Sequence, residues 1–304
     1  MQESRLKNYL LLHLIVLIWG FTAILGALIS LEAIPLVWYR MFLAVVFIFI
    51  YFLICKKSFK VDRIAIAKFF VTGILIALHW IFFFKAIKVS NVSVALVTMS
   101  TGAFFVSLIE PLFFKRSIKV LELVLGFCVC IGLYIIFNFE SQYQLGIFYA
   151  LISSLLSAFF SVFNGLFIQK YDASKISLYQ LFFGVVFITV YLLFTNGFSA
   201  SFFEISKADW GYLLILGSIC TAYAFITSVK VMKYLSPYTV ILTLNLEPIY
   251  AIILALFIFG EEEKMNPEFY FGAFIVLFVV LLNGMIKNKN SIRNKIKEKS
   301  VSKN

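Results

Sequence analysis

Residues 244–259 read LNLEPIYAIILALFIF, an apolar run interrupted only by Asn245 and the adjacent Glu247 and Pro248. With PYTVILT (237–243) ahead of it, the stretch is long enough to cross a ~30 Å hydrocarbon layer as a helix. Runs of this kind recur along the chain, at roughly 8–29, 35–55, 65–87, 91–113, 119–137, 145–169, 174–194, 210–231, 237–260 and 269–286. The 304 residues are 62% hydrophobic and 13% charged, too little polar surface to cover a soluble core of that length. Because the runs are continuously apolar, without period-two alternation, a β-barrel is excluded. The expected fold is an all-α integral membrane protein of ten transmembrane helices. The first run is too long for the apolar region of a secretory leader, and nine more follow it.

Charge placement orients these spans. With the N-terminus inside, twenty Lys and Arg residues fall in the inner loops and tail, whereas Lys85, Lys88, Lys207 and Lys264 fall outside. The positive-inside rule then puts both termini in the cytoplasm and the protein in the inner (cytoplasmic) membrane. The net charge of +11 is thereby a matter of topology, and no nucleic-acid partner is implied. Cys55, Cys128, Cys130 and Cys220 lie in apolar spans without a CxxC pair, and read as packing residues.

Ten spans divide into five and five, and an odd number per half inverts the second half relative to the first. Sliding the chain by 145 residues brings Gly20 over Gly165, Lys88 over Lys233, Thr98 over Thr243, and AIKVSN (86–91) over VMKYLS (231–236). The expected units are therefore residues 1–140 and 141–286, two inverted five-helix repeats, followed by a basic cytoplasmic tail, 287–304. The two Glu-Pro pairs do not obey this frame: Glu110 falls opposite Ala255, and Glu247 opposite Gly102. Inverted repeats are the architecture of many secondary transporters, with the substrate near the midplane between the halves.

LIWG (17–20), YR (39–40), LHWIFFFKAIKVS (78–90) leading to EPLFF (110–114), and LEPIYAIILALFIFGEE (246–262) resemble the drug/metabolite transporter superfamily, EamA-type permeases. The resemblance covers about residues 8–286 and implies export of small metabolites or amino acids by alternating access. Where such proteins often close the fourth helix with a glutamate, this chain has Lys115 and Arg116, so no role of that glutamate carries over.

Several polar residues are candidates for a substrate or proton pathway. Glu247 stands about ten residues into the ninth span, near the bilayer midplane, where a charge costs ~2.5–3.5 kcal/mol on insertion scales. Thr239, Thr243, Glu247 and Tyr250 follow 4-4-3 spacing and share one helical face, a polar stripe expected to line the pathway. Pro248 frees the carbonyl of Leu244, and Pro111 is its counterpart as a helix break in the first half. Glu110 either lines the cavity or snorkels toward Lys115 and Arg116. Arg40 either snorkels outward or fixes a carboxylate. His79 is a candidate proton relay or an interhelical hydrogen-bonding group. Trp19, Trp80 and Tyr223 could wall an aromatic or cationic ligand.

Other function classes find little support. Asp62, Asp172 and Asp209 lie in expected loops, which removes an intramembrane aspartyl protease. The sequence has no HExxH, no GxxxxGK[ST], and its two histidines are on different spans, so no metal, cofactor or ATP use is expected. A membrane-embedded enzyme or a channel are the alternatives to a secondary transporter. The partners implied are a small-molecule substrate, the lipid bilayer, and protons as a candidate coupling ion.

Overall fold

The computed structural model describes residues 2–115, 120–279, 281, 282 and 286. The tail 287–304, Arg116, Lys119 and Asn283 lie outside the described residues, as does the side chain of Glu122. Every regular element among the described residues is helical. The helices are α1 (Gln2–Leu28), α2 (Ala33–Ile54), α3 (Arg63–Val89), α4 (Val92–Met99), α5 (Gly102–Phe114), α6 (Val120–Phe139) and α7 (Gln144–Phe167). They continue with α8 (Ala173–Phe194), the short α9 (Ala200–Phe203), α10 (Lys207–Gly217), α11 (Ala224–Val231), α12 (Pro237–Leu244), α13 (Glu247–Phe259) and α14 (Pro267–Val279). Eight helical segments are long and apolar enough to cross a membrane. Shorter apolar segments, Val124–Phe139 and Pro267–Val279, stand where the fifth and tenth spans are expected. The surface carries large apolar side chains such as Leu112, Phe194 and Phe257, which only lipid accommodates at this density.

Polar residues at the starts of the helices take up amides that would otherwise lack partners. Asp62 accepts from Ala65 N–H, Asn91 from Val94, Asp172 from Ser174, Ser206 from Asp209, and Ser236 from Thr239. The amides of Val92 and Ser93, at the start of α4, bond instead to Glu263, a buried carboxylate in the turn after α13 (2.8 and 3.0 Å). Alternate loops gather at opposite ends of the bundle. At one end Ser30 bonds both oxygens of Asp209, and Glu140 accepts from Asn266 N–H. At the other, Lys57 pairs with Asp172 at 3.4 Å and Tyr171 donates to Asp62 at 2.8 Å.

The fourth span breaks at Ser100–Thr101 and the ninth at Asn245–Leu246. Both breaks fit the 145-residue frame: α4 maps onto α12, and α5 onto α13, with the same boundaries. Their causes differ. Pro248 has no N–H to return to Leu244, so the chain tightens, with Asn245 and Leu246 bonding Leu242 and Thr243. In the first half, hydroxyls do the work: Thr101 bonds the Thr98 carbonyl through both N–H (3.1 Å) and Oγ1 (2.8 Å). Pro111, expected to break this span, sits inside α5 instead. The broken spans cross, α4 against α13 and α5 against α12, as antiparallel partners in an inverted pair would.

The densest packing joins the halves through α3 with α7 and α8, and α2 with α8. Gly73 of α3 lets the α8 backbone approach so closely that a Cβ there would lie 2.4 Å from the Gln180 carbonyl oxygen. Gly73→Ala is therefore expected to lower the Tm of the purified protein in detergent, with a loss of about 1–3 kcal/mol. Gly211→Ala, where a Cβ would meet nothing within 4 Å, should leave the Tm unchanged or slightly raised.

Candidate functional site

A cavity of about 100 Å³ lies between the halves, lined from α1, α2, α3, both parts of each broken span, α7 and α11. A single water needs ~10–15 Å³ by the same kind of measure, so the space suits a small organic molecule. Among the expected pathway residues, Trp19, Arg40, His79, Trp80, Glu247 and Pro248 line it together. Thr243, Tyr250, Glu110, Tyr223 and Pro111 do not. Thr243 donates to the Thr239 carbonyl at 2.8 Å, Tyr250 and Tyr223 are exposed on the outer face, and Glu110 is buried elsewhere. The break at Asn245–Leu246 explains why the Thr239–Tyr250 stripe does not form. Constant helical spacing does not survive a tightened turn, and Val240, Ile241, Leu244 and Asn245 face the cavity instead.

Arg40 is 1% exposed and does not reach the surface. Its Nε–H donates to Thr221 Oγ1 at 2.6 Å, and its guanidinium carbon lies 4.0 Å from the centroid of the Trp80 ring. Thr221 belongs to a π-helical turn, Ser218–Tyr223, between α10 and α11. The widened turn lets Thr221 Oγ1 donate to Leu216 O at 2.6 Å, which orients its lone pairs to Arg40. The same turn presents the Cys220 carbonyl to Trp19 Nε1 at 3.0 Å. One local irregularity thus fixes two cavity residues.

Glu247 begins α13 and faces the same cavity as Arg40. The two side chains interact electrostatically, yet no ion pair within 4.0 Å joins them. A carboxyl group and a guanidinium that face one cavity without pairing leave room for a molecule between them. His79 Nδ1 is 2.9 Å from the Ser153 carbonyl oxygen, and Ser153 Oγ donates to the His79 carbonyl at 2.8 Å. A carbonyl can only accept, so Nδ1 carries a proton and His79 ties α3 to α7 at the cavity wall. No group of His, Cys, Asp and Glu suited to a metal ion occurs among the described residues.

Residues 6–138 and 144–285 each match the EamA-like transporter family. The chain belongs to that family. It is also 25% identical over 214 residues to a Clostridium kluyveri protein described as an uncharacterized transporter. That alignment takes in 68% of this chain and 66%, just under two thirds, of the relative's length. A protein of known crystal structure superposes with a TM-score of 0.66 at 14% identity, covering 91% of this chain and 97% of the other, and shares the fold. As an EamA-like transporter the protein is a multi-pass membrane protein of the drug/metabolite transporter superfamily.

Some cavity residues of this EamA-like transporter were not singled out from the sequence. Asn245 sits two positions before Glu247, and its polarity in an apolar run was a legible signal. Asn164 lines the cavity and accepts from Gln180 Nε2 at 2.7 Å, and Gln180 also bonds Thr72 at 2.9 Å. Thr221 gave no signal, because its role depends on the π turn. Ser153→Ala should lower stability by about 0.5–1.5 kcal/mol through the lost bond to the His79 carbonyl. The expected readout is a fall of a few degrees in the detergent Tm, and an unchanged Tm would remove the Ser153 hydroxyl from the tie between α3 and α7, leaving only the bond from His79 Nδ1 to the Ser153 carbonyl.

Proposed function

We propose that this protein is a secondary transporter that exports small metabolites or amino acids across the cytoplasmic membrane by alternating access, with both termini cytoplasmic. One observation carries the reading: a cavity at the meeting of two inverted halves, edged by both broken spans, holds Arg40 and Glu247 unpaired with each other. Broken helices at a midplane site between inverted repeats are the usual means by which such carriers expose a site alternately to the two sides. Glu247 binds a proton or a cationic part of the substrate, and Pro248 weakens the ninth span where it bends. Trp19, Trp80 and His79 form the wall, and Arg40 the opposing charge.

Reconstitution into liposomes with a panel of amino acids, nucleosides and cationic drugs, with and without a pH gradient, tests the activity. Glu247→Gln keeps the shape of the side chain but fixes it neutral. It should abolish the dependence of transport on the pH gradient at nearly unchanged protein abundance. A well-expressed Gln variant with wild-type transport and pH response would sink the proton role. For orientation, a cysteine at Ser58 should be labelled only after the membrane is permeabilised, and one at Ser199 from outside the intact cell. Labelling of Ser58 from outside would invert the topology.

A further inference from the structure

We infer that the cavity contains an anion subsite centred on Arg40, which receives a carboxylate of the transported molecule. The inference rests on the transport reading and deepens it by naming the substrate's head group.

Arg40 Nη1 has no hydrogen-bond partner, although the residue is buried and lines the cavity. A guanidinium is a permanent cation with donors only, so nothing but an acceptor can complete it. Leaving a charged donor unmatched away from water is among the more expensive arrangements a fold can keep. The surroundings narrow the choice of acceptor. Nε is already committed to Thr221, and the Trp80 ring covers one face of the guanidinium. Asn245, 4% exposed and on the same cavity, also has an unpartnered amide nitrogen, Nδ2. A carboxylate offers two oxygens with several lone pairs, enough to accept from both side chains at once. Glu247 does not meet this need here, since no ion pair joins it to Arg40.

Aromatic and aliphatic side chains make up most of the remaining wall, with Phe83, Phe160 and Phe225 beside Trp19 and Trp80, which fits a largely apolar body behind the head group, while Ser157, Ser161 and Asn164 add a polar strip along α7. A bound anion near Glu247 would be repelled by a second carboxylate, so its arrival favours a proton, or a cationic group of the ligand, at Glu247. Thr221 acts through Arg40 and is a positioning residue.

The test uses two probe series that share a body and differ in the head group: 3-phenylpropanoate, 3-phenylpropanamide and 3-phenylpropylamine, and 4-methylpentanoate, 4-methylpentanamide and 4-methylpentylamine. Binding is measured on the purified full-length protein in detergent. In at least one series the acid should bind about tenfold or more tightly than its amide and its amine, as a charge-assisted bond implies. Arg40→Gln should erase that preference while binding of the amide persists. Because Arg40→Gln could disturb folding, Thr221→Val provides a second reading: a several-fold loss of the acid preference at unchanged amide affinity, restored by Thr221→Ser. Equal binding of acid and amide in the wild type, no acid binding in either series, or an acid preference that survives in a folded Arg40→Gln protein overturns the subsite. The liposome panel separates the two proposals. Transport without any head-group preference leaves the transporter reading standing and removes the subsite, whereas acid-selective binding by a protein that moves no compound does the reverse.

Discussion

A peptide group inside hydrocarbon has no water to turn to, so every interruption of a helix must find its partners within the protein. That constraint shapes each part of the cavity. The break in the fourth span is held by the hydroxyls of Ser100 and Thr101, which bond carbonyls of the preceding turn. The break in the ninth is made by Pro248, which removes a donor, and is closed by short-range bonds around Asn245. In the π turn, Thr221 takes the Leu216 carbonyl and Cys220 lends its own to Trp19. The irregular backbone lies where side chains or the cavity can satisfy it, and the cavity residues are those the irregularities expose.

The two halves share a backbone plan but not a chemistry. Glu247 stands at the first position of α13, and the frame puts Gly102 at the first position of α5. Asn245 corresponds in the same way to Ser100. Each half thus supplies a broken helix to the cavity, while the second half alone supplies the carboxylate. Arg40, on α2 of the first half, is held by Thr221 of the second. The charged site is therefore asymmetric although its scaffold is nearly symmetric, and neither half holds it complete.

The all-helical membrane fold, the division into two repeats and the 145-residue frame were legible because hydrophobic length and repeat spacing are one-dimensional properties, although eight helices, not ten, are long and apolar enough to cross a membrane among the described residues. The candidates Glu247, Arg40, His79, Trp80 and Trp19 were legible because a polar or large aromatic side chain in an apolar run is conspicuous. The face of the ninth span was not. Counting Thr239, Thr243, Glu247 and Tyr250 onto one stripe assumed a regular helix through a proline, and the tightened turn re-aimed the positions on either side. Pro111 shows the opposite error, a proline that a helix tolerates while a break forms upstream at two hydroxyl residues. Thr221 and Glu263 act at a distance in sequence, through a π turn and across the bundle, and no local pattern announces either.

The bond between Glu263 and the start of α4 has a consequence for how the chain is made. The carboxylate lies 170 residues after the serine it holds. At ~5–20 residues per second of synthesis, α4 enters the membrane roughly ten to thirty seconds before its cap leaves the ribosome. Through that interval the amides of Val92 and Ser93 lack their final partner, and this end of α4 is completed only once the ninth span has been threaded. Assembly of the first repeat is thus completed from the far end of the polypeptide, and a nascent chain stalled before Glu263 would present the insertion machinery with an unfinished helix end.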